Sequence, residues 1–342
     1  MKPHAPLATM ASSIWLRALL LGVTLLATVA TAQAATVIDL DWRDAARERT
    51  LPLKLRLPDG DARVPVVLFS HGLGGSREGG AAWGEYWADH GYLVIHVQHP
   101  GSDEALWKDV APAARRASVV RGATAEQLLG RVDDIRFVLD ELARRQRAAD
   151  APAWLRRADL TRIAMTGHSF GAQTTMALAG QHHRGPIRDL GDARLRAFIA
   201  FSPLAQGLKA SWPERYGAMT RPFLSVTGTL DGDVLGNGAS AARRAAVFDA
   251  QPAGDKYRVV FEGANHFVFA GGDPASARRL SLASGRPRTA TPEALAAAIA
   301  QRTQALTLKF LDAYLKSDGP ALRWLHDEAG AFIGDLGAWS AK

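Results

Sequence analysis

A serine with glycine two positions before it and two positions after it lies in the segment MTGHSFGAQT, residues 165–174. Ser169 is this serine, and Gly167 and Gly171 are the glycines. The G-x-S-x-G pattern is typical of a sharp strand-to-helix turn that lifts a nucleophilic hydroxyl clear of a sheet. Glycine is required there because larger side chains would clash with the nearby backbone. The pattern predicts that Ser169 is a nucleophile, and a chance occurrence in a chain with 32 glycines is the alternative.

A serine hydroxyl reacts only when a base takes its proton and an acid orients that base. Where such a serine begins a helix, the order along the chain is serine, acid, histidine. His266, in FEGANHFVF, directly follows a predicted strand, so we predict that it is the base. The segment LSVTGTLDGDV offers two acids. Asp231 is favoured because it follows the strand-ending Gly228 by three residues, and Asp233 is the reserve. We expect the other aspartate to cap its own turn.

A glycine-rich segment, FSHGLGGSREGG at residues 69–80, follows another apolar run. Small residues let the backbone there approach a reacting carbonyl closely, so the N–H of Leu73 is a predicted oxyanion donor together with the N–H of Phe170. A plain turn is the alternative. The glycines are not followed by a Lys-Ser or Lys-Thr pair, which argues against a phosphate loop and a nucleotide ligand.

The elements that must position these residues alternate along the chain. Apolar runs predict strands, and amphipathic periodicity predicts helices. The predicted strands are 37–42, 51–57, 64–70, 92–98, 160–167, 195–203, 221–228 and 256–263, and the main helices are 80–90, 124–147 and 292–316. Thr124 and Gln127 fit a capping box, and Thr291 with Pro292 fits an N-cap followed by a first-turn proline. The alternation predicts a mostly parallel twisted sheet with helices on both faces, and sites at the carboxyl ends of its strands.

The first residues have the pattern of a secretory signal peptide. Lys2 and Arg17 precede the apolar run ALLLGVTLLATVA, and small residues follow at Ala32 and Ala34. We predict cleavage after Ala34, which makes residues 1–34 the signal peptide and places the protein in the periplasm or outside the cell. An uncleaved anchor is the alternative, but the apolar run is short for a membrane span. We expect no stable span after cleavage.

Composition excludes several classes of protein. The net charge is +7, yet the arginine pairs are scattered rather than concentrated on one element, so we expect solvated helix faces and no nucleic-acid partner. The chain has no cysteine, so it has neither disulfides nor thiolate metal sites. The pair His96 and His99 and the pair His182 and His183 are poorly spaced for metal ligands, and we predict no metal and no cofactor. The arginine pairs are Arg115–Arg116, Arg144–Arg145, Arg156–Arg157, Arg243–Arg244 and Arg278–Arg279.

The segments SHGLGGSREG and GHSFGAQT resemble the α/β-hydrolase superfamily. More narrowly, they are similar to the platelet-activating-factor acetylhydrolase and dienelactone-hydrolase-like group of exported bacterial esterases, over about residues 37–316. The resemblance implies the triad and oxyanion hole at the positions above, and one catalytic domain at 35–342 with no large separate cap domain. True dienelactone hydrolases use a cysteine nucleophile, which this chain lacks. The segment HPGSD, 99–103, also resembles this group, and either lines the pocket or forms a Pro-Gly turn.

Substrate selectivity is expected in the segments that belong to neither sheet nor main helices, 101–123, 203–220 and 268–290. Trp107 and Trp212 either line an acyl pocket or pack the body of the protein. The resemblance and the modest length of these segments favour small-molecule or polymeric esters with short- to medium-chain acyl groups, of lipid or polyester type. A serine peptidase or amidase, and a non-catalytic binding protein of the same fold, are the alternatives. The oligomeric state is open.

Overall fold

A nine-stranded sheet runs through the part of the chain that the structure describes, in the order β1-β2-β4-β3-β5-β6-β7-β8-β9. The structure is a computed structural model, and it describes Met1 and residues 36–183, 189–236, 238–272 and 290–342. The predicted signal peptide and its cleavage site therefore lie outside the described residues, apart from Met1. The account below concerns the larger of two compact units, Ala34–Lys342.

Six neighbouring strands of the sheet, in the order β4-β3-β5-β6-β7-β8, are parallel. The hairpin β1-β2 and the last strand β9 add antiparallel edges. This topology is that of the α/β-hydrolase fold, and the predicted fold class is confirmed. The strands are β1 Thr36–Asp44, β2 Arg49–Leu57, β3 Val64–Ser70, β4 Leu93–Val97, β5 Ala158–His168, β6 Leu195–Phe201, β7 Phe223–Leu230, β8 Lys256–Asn265 and β9 Gly337–Ala341.

Helices cover both faces of the sheet, as predicted. In β3 the apolar side chains alternate, so that Val66 and Leu68 join one core while Val67 and Phe69 join the other. Helices α3, α5 and α7 pack in the first core, and α1, α8, α9 and α10 pack in the second. The helices are α1 Ala81–Asp89, α2 Pro112–Arg121, α3 Ala125–Gln146, α4 Ala153–Arg157, α5 Phe170–Leu178, α6 Trp212–Tyr216, α7 Ala241–Ala250, α8 Glu293–Leu315, α9 Gly319–Asp327 and α10 Ala329–Ile333.

Two predicted helix starts have different outcomes. At α3 the Thr124 side chain accepts a hydrogen bond from the Gln127 N–H, as the capping pattern predicts. At α8 the N-cap is Pro292, and Thr291 has a different role from the predicted one. The Thr291 hydroxyl donates to the Gly263 carbonyl and accepts from the Asn265 N–H. It therefore ties the start of α8 to the carboxyl end of β8.

Sequence periodicity missed β9, because GAWSA is short and mostly small residues. Its register is set by pairing with β8, which no local pattern reveals. Among the described residues, no helix is long and apolar enough to cross a membrane.

Candidate active site

The turn at Ser169 joins the end of β5 to the start of α5. Its backbone has φ 56° and ψ −109°, a strained conformation for a residue with a side chain. A carbon atom added at Gly171 would overlap the Ser70 carbonyl, and one added at Gly167 would overlap the Gly171 backbone. The two glycines are therefore required because α5 begins against the ends of β3 and β5. This packing raises the Ser169 hydroxyl at the carboxyl edge of the sheet.

The structure brings the predicted nucleophile, base and acid together. His266 Nε2 lies 2.9 Å from Ser169 Oγ, and His266 Nδ1 lies 2.7 Å from Asp231 Oδ1. Asp231 directly follows β7 and His266 directly follows β8, so adjacent parallel strands deliver both side chains to one edge. These contacts have the geometry of a serine–histidine–acid array in which each proton has a defined acceptor.

The reserve acid has another role. Asp233 Oδ1 accepts the backbone N–H groups of Leu235 and Gly236, and its Oδ2 accepts that of Gly238. It thus caps the loop after β7, as expected for whichever aspartate does not meet the histidine.

Asp231 is held as a carboxylate by a partner that sequence reasoning missed. Burial raises the pKa of Asp231, but the Arg244 guanidinium and the His266 ring outweigh burial and lower the pKa from 3.8 to about 2. Arg244 Nε lies 2.8 Å from Asp231 Oδ1, and the Thr227 hydroxyl donates to Oδ2 at 2.9 Å. The prediction that the arginine pairs lie on solvated helix faces is wrong for Arg244, which is only 4% exposed.

Arg244 is buried because the end of α7 that carries it faces the carboxyl ends of β6 and β7. Its remaining donors bind the carbonyls of Ser202 and Gly232. Sequence offered one usable signal, since Arg244 lies four residues after the α7 N-cap Ser240, in the first turns of a helix whose Val247 and Phe248 are buried.

A second missed residue, His168, supports His266. The two imidazole rings lie 4.7 Å apart, and His168 Nε2 donates to the His266 carbonyl at 3.0 Å. Burial, and secondly the charge of His266, lower the pKa of His168 well below 6.5, so its ring is neutral. The neutral ring holds the His266 backbone without adding a charge beside the base.

The glycine-rich loop after β3, residues 71–75, lies directly beside the nucleophile. A Cβ at Gly72 would stand 3.5 Å from Ser169 Cβ. The next N–H belongs to Leu73, and the N–H of Phe170 opens α5. Neither group donates to another atom within the described residues, so both are open to an acceptor placed at Ser169. We call residues 71–75 the oxyanion loop.

The segment HPGSD is a turn whose polar side chains point into the protein. His99 and Ser102 have no exposed surface, and Asp103 is 6% exposed. The Gly74 N–H donates to the Ser102 carbonyl at 2.9 Å. The turn therefore supports the oxyanion loop from behind and does not line a pocket.

The segments expected to set selectivity contribute in unequal ways. The Trp107 indole donates to the Gly74 carbonyl at 2.7 Å, which places it on the oxyanion loop. Trp212 packs against the core, and Phe269 is fully buried. Leu208 and Leu230 are exposed apolar side chains after β6 and at the end of β7. Residues 273–289 of the third segment lie outside the described residues.

The described residues contain no group of three histidine, aspartate or glutamate side chains that could hold a metal ion. The side chains that meet at Ser169 instead form an arrangement for proton transfer and nucleophilic attack.

Comparison with known proteins adds one match. A family model for platelet-activating factor acetylhydrolase, isoform II, matches residues 26–114, which include the oxyanion loop and end before Ser169. The predicted resemblance to this family is thereby confirmed. A search of the curated proteins found no match. The match and the fold indicate a serine hydrolase of the α/β class.

Proposed function

We propose that the protein is an exported carboxylic ester hydrolase that works through Ser169, His266 and Asp231. The observation that carries the proposal is the pair of hydrogen bonds that joins the three side chains, 2.9 Å and 2.7 Å long, at the carboxyl edge of the parallel sheet. The acid is fully buried and ionised. The family match at the oxyanion loop favours ester hydrolysis over the other reactions that this array serves.

The first half of the proposed reaction acylates Ser169. The hydroxyl donates its proton to His266 Nε2 as Oγ attacks the ester carbonyl, and the developing oxyanion accepts from the N–H groups of Leu73 and Phe170. His266 becomes an imidazolium, which the Asp231 carboxylate stabilises through Nδ1–H. The imidazolium then gives its proton to the departing alcohol.

The second half releases the acid. Water enters where the alcohol left, and His266 takes its proton as the water oxygen attacks the acyl carbonyl. The oxyanion again accepts from the same two N–H groups, and His266 returns the proton to Ser169 as the acyl–oxygen bond breaks.

Short- to medium-chain acyl esters, of lipid or polyester type, are the proposed substrates. Between β6 and β7 the chain carries one short 3₁₀ helix, Lys209–Ser211, and the five-residue α6. Exposed Leu208 and Leu230 offer apolar surface near the carboxyl edge. Export is proposed from the signal-peptide pattern of residues 1–34.

The test is hydrolysis of p-nitrophenyl esters of increasing acyl length by the protein and by its Ser169→Ala variant. We expect turnover that ranks the acyl groups and falls by a factor on the order of 10⁶ in the variant. Ser317→Ala is a matched control, because Ser317 has the same φ of 56° after α8. It should retain full turnover.

Two results would contradict the proposal. Retained turnover in a folded Ser169→Ala variant would exclude Ser169 as the nucleophile. Hydrolysis of p-nitroanilides but not of the esters would make the protein an amidase or peptidase. A folded protein inert to both substrate series would be a binding protein of this fold.

A further inference from the structure

A fully buried guanidinium lies behind the oxyanion loop. Arg131, on α3, has no exposed surface. Its Nη1 donates to the His71 carbonyl at 2.6 Å, its Nε donates to Ser102 Oγ at 2.8 Å, and its Nη2 donates to the Ser102 carbonyl at 3.2 Å. The His71 carbonyl begins the oxyanion loop, and Ser102 O also accepts the Gly74 N–H. Arg131 therefore clamps both ends of the Gly72–Leu73 peptide unit.

The same guanidinium touches the second proposed donor. Its central carbon lies 4.5 Å from the centre of the Phe170 ring, in a cation–π contact. One planar group thus contacts the loop that carries the Leu73 N–H and the residue that carries the Phe170 N–H. A rigid fork of donors is suited to fixing two separate backbone segments relative to each other.

No carboxylate lies within ion-pair distance of Arg131 among the described residues. The nearest acid on its own helix, Asp134, is engaged by Arg47, Arg49 and His99. Arg131 is satisfied instead by carbonyl and hydroxyl oxygens. A buried cation with only neutral acceptors is costly, so its retention beside the loop requires a gain elsewhere.

A second serine–histidine–aspartate array holds the strand end next to this clamp. Ser70 Oγ lies 2.9 Å from His99 Nε2, and His99 Nδ1 lies 2.9 Å from Asp134 Oδ2. All three side chains have no exposed surface, so no substrate reaches the Ser70 hydroxyl. Its effect is mechanical, because the His99 N–H also donates to His71 Nε2 at 3.0 Å.

The ring of His71 is fixed by both of its nitrogens. Nδ1–H donates to the Gly72 carbonyl at 2.6 Å, and Nε2 accepts from His99. Burial, and then the charge of Arg131, keep the pKa of His71 well below 6.5, so this arrangement of protons persists at neutral pH.

We propose that Arg131 is a positioning residue that sets the oxyanion hole by holding the Leu73 and Phe170 N–H groups at one spacing. The inference rests on the proposed ester hydrolysis and adds a residue that its mechanism does not contain. Oxyanion donors act mainly on the transition state, so their misplacement lowers kcat more than it raises KM.

The experiment compares Arg131→Met and Arg131→Lys with the unaltered protein, using kcat and KM on the best p-nitrophenyl ester. We expect Arg131→Met to lower kcat on the order of 100-fold with KM within about threefold, because small displacements of catalytic groups have this effect. Arg131→Lys keeps the charge but lacks the fork, so its loss is about 10-fold. Inhibition by a trifluoromethyl ketone, which forms a bound oxyanion, should weaken in parallel.

Arg136→Met is the matched control. Arg136 lies on the same helix and likewise donates to a remote carbonyl, that of Leu190, at 3.1 Å. It should retain kcat and inhibitor affinity. The pH dependence of kcat/KM should have the same midpoint in all variants, because Arg131 does not contact His266 or Asp231.

An Arg131→Met variant that melts cooperatively and keeps kcat within twofold would overturn the inference, and so would a rise in KM alone. If that variant does not fold, an Arg131→Lys variant with full kcat overturns it. If the unaltered protein hydrolyses no ester, the proposed function fails. The rate of Ser169 labelling by a fluorophosphonate, whose attack also forms an oxyanion, then decides the role of Arg131 by the same comparison.

Discussion

Arg244 lies 2.8 Å from Asp231, and the two side chains form a buried ion pair directly behind the proposed catalytic histidine. Oδ1 of Asp231 meets both Arg244 Nε and His266 Nδ1. The guanidinium therefore offsets the cost of burying the carboxylate and keeps it ionised, so that the acid is ready to receive the Nδ1–H of an imidazolium.

Removing Arg244 should destabilise the protein in a pH-dependent way. We expect Arg244→Met to lower the free energy of unfolding by about 3 kcal/mol at pH 7, because it leaves the Asp231 carboxylate buried and unpaired. The folded-state pKa of about 2 lies below the unfolded value of 3.8, so the stability that Asp231 contributes is complete above the unfolded pKa and is lost as the pH falls toward 2. The difference between the proteins should therefore shrink in acid.

Urea unfolding at pH 7 and at about pH 3 measures this difference. Arg243→Met is the control, because Arg243 donates to the Ala205 carbonyl. An equal loss of stability at both pH values would show that Arg244 acts through packing alone.

The two aspartates after β7 should differ sharply in their effect on turnover. Asp231→Asn is expected to lower kcat about 10⁴-fold, because the amide no longer orients and stabilises the protonated His266. Asp233→Asn should keep kcat within about threefold, since that side chain caps the Leu235–Gly238 loop. Steady-state kinetics on one ester decides between them, and equal losses would mean that the acid is misassigned.

Glycine at position 171 should be irreplaceable. Gly171→Ala places a carbon against the Ser70 carbonyl, a backbone atom that cannot rotate away, and we expect a loss of about 3 kcal/mol in stability together with most of the activity. Gly130→Ala, in the middle of α3, meets only the Arg49 side chain at 4.0 Å and should stabilise the protein by about 1 kcal/mol. Thermal melting of the two variants tests the contrast, which disappears if the glycines near Ser169 are incidental.

His168 should act through its hydrogen bond and not through its charge. His168→Phe leaves the His266 carbonyl without its donor, and we expect kcat to fall about 10-fold. His168→Gln can donate to the same carbonyl and should recover part of the loss. Since the His168 ring is neutral, neither variant should remove an ionisation from the pH–rate profile. A lost ionisation would instead assign His168 a role in proton transfer.

Processing of the N-terminus should follow the small residues at Ala32 and Ala34. Expression of the full chain in a Gram-negative host should give periplasmic protein that begins at Ala35, as read by intact mass. Replacement of Ala34 by a bulky residue should block cleavage and leave the longer chain membrane-associated. Processed protein of unchanged mass in that variant would contradict the predicted site.

The sequence by itself determined the features that depend on local pattern. Period-two and continuous apolar runs predict the eight strands from β1 to β8, because burial on one or both faces dictates which positions are apolar. The G-x-S-x-G turn predicts a serine at a strand–helix junction. Chain order then points to Asp231 and His266, which the structure places within hydrogen-bond distance.

Only the tertiary structure decided the roles of the charged and polar residues around this array. Arg244 and Arg131 have the sequence character of solvated arginines, and they are buried because carbonyl oxygens from remote loops accept their protons. His99 and Ser70 are 29 residues apart and meet because β3 and β4 pair in parallel. A residue's burial and partners depend on which elements pack together, and that free energy is shared among distant segments, so no local pattern contains it.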